Sequence, residues 1–211
     1  FIVKEEKIVY NIKRDEVIYM YYLDTNIPLK QFKMDIASEP YVDKSLLIDK
    51  LNSFIRTRNR FICITRPRRF GKTMNATMLG AYYTQGYDAH DLFKNLKIAQ
   101  TTSYEKHINK HHVFYIDFSR MPDYCDSYRT YIDSIMKTIK EDLMNIYPKL
   151  SEKSYDYLYQ MFLDTNDSFI FIMDEWNSIF YKDFMQEKDK KAYLEFLKGL
   201  LKDQPYVELA Y

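Results

Sequence analysis

Gly71-Lys72-Thr73 follows a run of β-branched and aromatic residues, Phe61-Ile62-Cys63-Ile64-Thr65, and stands at the head of a segment with helical character. A buried strand, a short basic loop and a helix opened by Gly-Lys-Thr form a phosphate cradle. In it, backbone N–H groups surround the phosphates, a lysine reaches the β- and γ-phosphates and a hydroxyl holds Mg²⁺. The chemistry expected is therefore that of a P-loop, with Lys72 on phosphate and Thr73 on the metal. The usual pattern, G-x-x-x-x-G-K-S/T, wants glycine at position 66, and this chain has Arg66-Pro67 there. That departure bears on how the chain approaches the loop. The half that touches phosphate, Gly71 to Thr73, is intact.

A second constellation closes another apolar run. Phe169-Ile170-Phe171-Ile172-Met173 ends in Asp174-Glu175, the Walker B pattern. A strand buried on both faces delivers a carboxylate at its C-terminal end, where nucleotides sit in open α/β sheets. Asp174 would hold Mg²⁺ through water beside Thr73, and Glu175 would polarise the attacking water. Any buried strand can end in surface acids, so the two halves carry weight chiefly because they occur together, in order and in matching contexts. One further strand, residues 113–118, lies between them in sequence, as in the P-loop class that carries a catalytic glutamate.

Several elements must position these groups. A helix is expected from Tyr41, capped by Asp43, with Leu46, Leu47, Leu51, Phe54 and Ile55 as its apolar stripe, leading straight into the strand at 61–65. After Thr73 a helix should run through Met74, Thr77, Met78, Ala81 and Tyr82 to about Gly86, with Gly80 marking close packing. Residues 91–98 read as a short helix or connector. Residues 127–147 carry the clearest amphipathic pattern, ended by Pro148, and a shorter helix surrounds Leu158 and Phe162. Residues 164–167 form a turn, a helix carries Tyr193, Phe196, Leu197, Leu200 and Leu201, and a fourth strand begins at Val207. Strands alternating with helices imply an α/β fold with a mainly parallel sheet, a P-loop NTPase-type three-layer sandwich. The break inside the fourth strand and the start at phenylalanine suggest a C-terminally truncated fragment. Residues 1–35 read as an N-terminal extension, with strand-like stretches at 8–12 and 17–23, and residues 36–211 as the P-loop domain.

Composition narrows the class. With 211 residues, 46% hydrophobic and 29% charged, the chain suits one soluble domain with a good core and is too rich in aromatics for disorder. No stretch reads as a membrane span or export signal, so no membrane partner and a cytoplasmic location are expected. A net charge of +1 argues against a polycation built for nucleic acid. Arg56, Arg58, Arg60, Arg66, Arg68, Arg69 and Lys72 nevertheless form a run with no acid among them; the first three read as a solvated helix end. Cys63 reads as a small core residue and Cys125 as a loop residue. The four histidines lack ligand spacing, so no structural zinc is expected.

Three motifs together carry a resemblance. Tyr41-Val42-Asp43-Lys44-Ser45, then Arg66-Pro67-Arg68-Arg69-Phe70-Gly71-Lys72-Thr73, then Asp174-Glu175-Trp176 resemble the AAA-ATPase-like family of bacterial proteins over about residues 30–211. That family reads Y-V-D-K-T/S, R-P-R-R-F-G-K-T/S and D-E-Y/W-D, so arginine at position 66 is the family's own form of the loop. The resemblance implies ATP and Mg²⁺ as ligands, and Mg²⁺-dependent hydrolysis coupled to conformational change. It assigns phosphate contacts to Arg66 through Met74, catalysis to Lys72 and Glu175, and metal binding to Thr73 and Asp174. Arg68 or Arg69 would add charge at the γ-phosphate. Asn177 stands where the family has Asp, so a third acidic role there is in doubt. Tyr41 to Lys44 would either place the nucleotide base or cap a core helix. Family members often continue to a nuclease-like domain, which residues 1–211 do not include and through which DNA would be a partner; homo-oligomerisation is the other partner expectation. Two alternatives stand beside this reading: a nucleotide-gated switch that hydrolyses rarely, and a nucleic-acid-binding module gripping backbone phosphate through Arg56 to Arg69. No base-reading motif separates ATP from GTP.

Overall fold

Three strands, β1 (His112–Asp117), β2 (Phe169–Asp174) and β3 (Val207–Ala210), form a parallel sheet in the order β1-β2-β3. The computed structural model describes residues 21–65 and 71–211. The strand expected over 8–12 and most of that over 17–23 lie outside these residues; of the latter, Leu23 forms a lone antiparallel bridge to Phe114. Parallel strands need long crossovers, and helices supply them. Between β1 and β2 run α6 (Tyr128–Ile146) and α7 (Leu158–Asp164); between β2 and β3 runs α8 (Glu187–Leu201). Before β1 come α1 (Ile27–Ala37), α2 (Leu46–Asn52), α3 (Lys72–Tyr83) and two single-turn helices, α4 (His90–Phe93) and α5 (Tyr104–His107).

Alternation along the strands divides the core between two faces. Phe114, Ile116, Phe169 and Phe171 face Tyr131, Ile135, Ile139 and Leu143 of α6 and Phe162 of α7. Val113, Tyr115, Ile170, Ile172 and Leu209 face Phe32 of α1, Ile48 and Leu51 of α2, and Leu79 and Tyr82 of α3. The architecture is thus α/β, a small open parallel sheet with helices on both faces. Helix α6 has the bounds its periodicity predicts, and the Ser127 hydroxyl accepts the Thr130 N–H as its N-cap. Among the described residues, no helix is long and apolar enough to cross a membrane.

Four sequence expectations change. Residues 61–65 do not form a buried strand: Phe61 makes a single parallel bridge to Ala210, with the Ile62 N–H donating to the Ala210 carbonyl at 2.8 Å. Residues 60–62 thus lie against β3 on the side away from β2. Cys63, expected in the core, is exposed, as are Phe61 and Ile64. Helix α2 starts at Leu46, not Tyr41, and presents Leu46 to solvent while burying Ile48. Residues 53–60 then intervene as turns before the 61–65 segment. Helix α3 stops at Tyr83, and Gly86 (φ +82°) serves a turn beyond it.

Helix α1, unmarked by a strong apolar stripe, spans position 35, where the sequence puts the end of the N-terminal extension. It lies on α3 at backbone distance. A methyl group on Gly80 would fall 2.5 Å from the Pro28 Cβ, so the glycine is required for the close approach.

Candidate functional site

The C-terminal ends of β1 and β2 bring carboxylates together. Asp174 is the last residue of β2 and pairs in parallel register with Asp117, the last of β1. Asp174 is 7% exposed. Burial raises its pKa above the ordinary carboxylate value, and the charges of Asp117 and Glu175 push the same way. The Thr73 side chain and the Glu175 N–H, hydrogen-bonded to it, pull against the shift. The Glu175 N–H reaches Asp174 Oδ1 at 3.0 Å. Glu175 itself takes a left-handed conformation (φ +50°), uncommon for a residue with a side chain, and this turn leads into the 3₁₀ helix Ser178–Tyr181.

The other half of the site opens α3. Gly71 caps the helix at φ +75°, a conformation that favours glycine, and its carbonyl accepts the Asn75 N–H at 3.0 Å. Lys72 and Thr73 are therefore the first two residues of the helix, where the helix dipole favours an anion. Met74 follows in the same turn. Arg66, Pro67, Arg68, Arg69 and Phe70 lie outside the described residues.

A cavity of about 620 Å³ joins the two halves. Lys72, Asp174 and Glu175 line it, together with the 61–65 segment, Asn177, Leu197 and Leu201 of α8, and Tyr211. Three sequence-named residues thus meet in one place, Lys72, Asp174 and Glu175 lining one cavity, while the neighbouring Thr73 side chain acts to lower the Asp174 pKa. A hydroxyl and a carboxylate are hard oxygen donors of the kind that suits Mg²⁺. Among the described residues, no group of three or more His, Cys, Asp or Glu side chains could hold a metal ion. A cation here would therefore complete its shell with water and phosphate oxygens, as Mg²⁺ commonly does.

Sequence reasoning passed over Asp117. It accepts hydrogen bonds from the Ser119 N–H at 3.0 Å and the Arg120 Nε at 3.2 Å. The signal was present, since residues 113–116 end in Asp117 as residues 169–173 end in Asp174, but only the parallel pairing sets the two side by side. The basic run also divides differently from its expected reading. Arg56 is solvated, its side chain 71% exposed, but it does not end a helix: α2 finishes at Asn52, and the Arg56 guanidinium binds the buried Glu208 and the Ser168 hydroxyl. Arg60 lies over the Phe61 ring, 4.7 Å from its centroid. Tyr41 packs edge-on against Phe32, a core contact, and burial pushes its phenol up to about 12.

No curated protein and no solved structure matches the chain. A family model described as a predicted AAA-ATPase matches residues 27–206, from the first residue of α1 to the edge of β3, and takes in both halves of the site. With the match spanning most of its length, the chain belongs to the AAA-ATPase-like family.

Proposed function

We propose that the chain binds ATP with Mg²⁺ across the head of α3 and the end of β2, and hydrolyses it. Family membership points to nucleotide binding and ATPase chemistry at a coarse level. The observation that carries the finer reading is the cavity at the end of β2 that Lys72, from the head of α3, shares with Asp174 and Glu175. Helices on both faces of a parallel sheet, with the cavity at the C-terminal ends of its strands, support a P-loop-type arrangement.

In this reading Lys72 neutralises charge on the β- and γ-phosphates, and Gly71 lets the backbone approach them closely. Thr73 and Asp174 would hold the metal, which would supply positive charge against the negative charge that develops on the phosphates. Glu175, exposed at the turn after β2, orients a water against the γ-phosphorus and takes its proton as the new P–O bond forms. The bond to the β-phosphate oxygen breaks, leaving ADP and inorganic phosphate. The crowding of Asp117, Asp174 and Glu175 raises the cost of the apo site's negative charge, and a bound cation lowers it. Changes at the head of α3 provide the coupling to conformation.

Phosphate release from ATP in the presence of Mg²⁺ tests this, with Lys72→Ala and Glu175→Gln beside the unaltered chain. The expected result is turnover by the parent, loss of ATP binding in Lys72→Ala, and ATP binding without hydrolysis in Glu175→Gln. Tight ATP binding with all three equally inert would replace hydrolysis by a nucleotide-gated switch. No binding of ATP by the parent would overturn the proposal.

A further inference from the structure

Lys44 is placed by its neighbours on either side. Asp43 accepts the Ser45 N–H on one carboxylate oxygen at 2.8 Å and the Lys97 N–H on the other at 2.9 Å. Ser45, fully buried, accepts the Ile98 N–H on its hydroxyl at 3.1 Å. The Lys44 carbonyl accepts the Leu47 N–H at 2.9 Å as α2 begins. Burial works to raise the Asp43 pKa, but hydrogen bonds from Ser45 and Lys97 and the Lys97 charge outweigh it and hold the carboxyl below its ordinary value. The turn is therefore clamped to the 3₁₀ helix Lys97–Gln100 by an ionised side chain on one side and a buried hydroxyl on the other.

The clamp delivers the intervening lysine to the loop. Lys44 is exposed, and a methyl group on Gly71 would lie 3.0 Å from its Nζ. Its ammonium thus stands against the residue immediately before Lys72, so cations from two separate elements reach the head of α3. That is the positive pole of the helix, where an anion is favoured. A compact ammonium is a good partner for phosphate, which presents charge on several oxygens and makes no demand for the planar fork of arginine.

We infer that Lys44 is a second phosphate-binding cation of this site, contacting the triphosphate of the bound nucleotide from the α2 side. The inference rests on the nucleotide reading above. It gives Asp43 and Ser45 a task as well: they are positioning residues that fix the turn so that the ammonium is held at the loop.

Isothermal titration of the chain with MgATP, inorganic tripolyphosphate and adenosine tests it, using Lys44→Met, which keeps most of the stem, and Lys44→Arg, which keeps the charge. Loss of one charge-assisted contact predicts about tenfold weaker binding, or more, of both MgATP and tripolyphosphate by Lys44→Met. It also predicts a shallower salt dependence and partial recovery in Lys44→Arg. If Lys44→Met binds both polyphosphates as the parent does while Lys72→Ala binds neither, Lys44 is a surface lysine and the inference fails with the nucleotide reading intact. Weakened adenosine binding with tripolyphosphate unaffected would make it a base contact, which also overturns the inference. If the parent binds neither MgATP nor tripolyphosphate, the nucleotide reading falls and takes this assignment with it.

Discussion

Asp174 and Glu208 stand at opposite ends of one sheet, 7% and 3% exposed, and their surroundings act on a negative charge in opposite directions. Glu208 is the extra residue of a bulge in β3, near the N-terminal ends of the strands. Arg56 and Ser168 bond one of its oxygens, and His111 Nδ1 lies 2.6 Å from the other. Burial raises its pKa, yet these three partners outweigh burial and bring the carboxyl down to about 2. Nearby, Asp24 accepts the Val113 N–H at 2.8 Å and faces His112 Nδ1 at 2.6 Å. At the other end, Asp174 has a hydroxyl and one N–H for partners and two more carboxylates for company, and its pKa rises. One end satisfies its charges within the protein and holds the fold together. The other leaves negative charge that a cation can complete, and a site that favours function there does so at some cost in stability.

The sharpest way to break this contrast is Glu208→Ala. It leaves His111 and Ser168 without their acceptor in a buried place and should cost about 3 kcal/mol, lowering the thermal midpoint by about 6–12 °C. ATP affinity per folded molecule should be unchanged by calorimetry; a loss of affinity with no loss of stability would show that the two ends are not separate in role. A smaller effect follows from acid. The folded pKa of about 2 lies below the ordinary 4.5, so the stabilisation by Glu208 is complete above about pH 4.5 and drains away as pH falls toward 2. Denaturant midpoints followed through that window should converge for the parent and Glu208→Gln; parallel curves would remove Glu208 as the acid-sensitive group. The smallest effect has the opposite sign. Because the folded state disfavours the ionised form of Asp174, Asp174→Asn should raise the thermal midpoint slightly near neutral pH without Mg²⁺, while turnover is lost. A destabilised Asp174→Asn would mean that the carboxylate also holds the fold.

How much of this could be read in advance depended on how local each cause was. Helix α6 and the strands β1, β2 and β3 were legible because periodicity, capping by Ser127 and unbroken apolar runs are short-range properties. Helix α1 was not, since its only buried residues are Pro28 and Phe32 and the rest of its fit comes from Gly80 on another helix. The 61–65 segment misled because an apolar run looks alike at a sheet's centre and at its edge, and only the pairing with β3 tells which it is. Lys72, Thr73, Asp174 and Glu175 were nameable from motif, but the neighbourhood of Asp117 was not, because parallel register is set by the whole crossover between β1 and β2. That Arg56 binds Glu208 was illegible for the same reason, its partner being distant in sequence.

Two ties fasten α1 to α3. Pro28 rests on Gly80 near one end, and the Thr77 hydroxyl donates to Asp35 at 3.0 Å nearer the other. Side chains that mesh through long flexible tips can absorb a displacement of some tenths of an ångström by changing rotamer. A proline ring set against bare backbone has no such slack. The close approach therefore fixes where α1 sits on α3, and a side chain larger than glycine at position 80 would force the two helices apart.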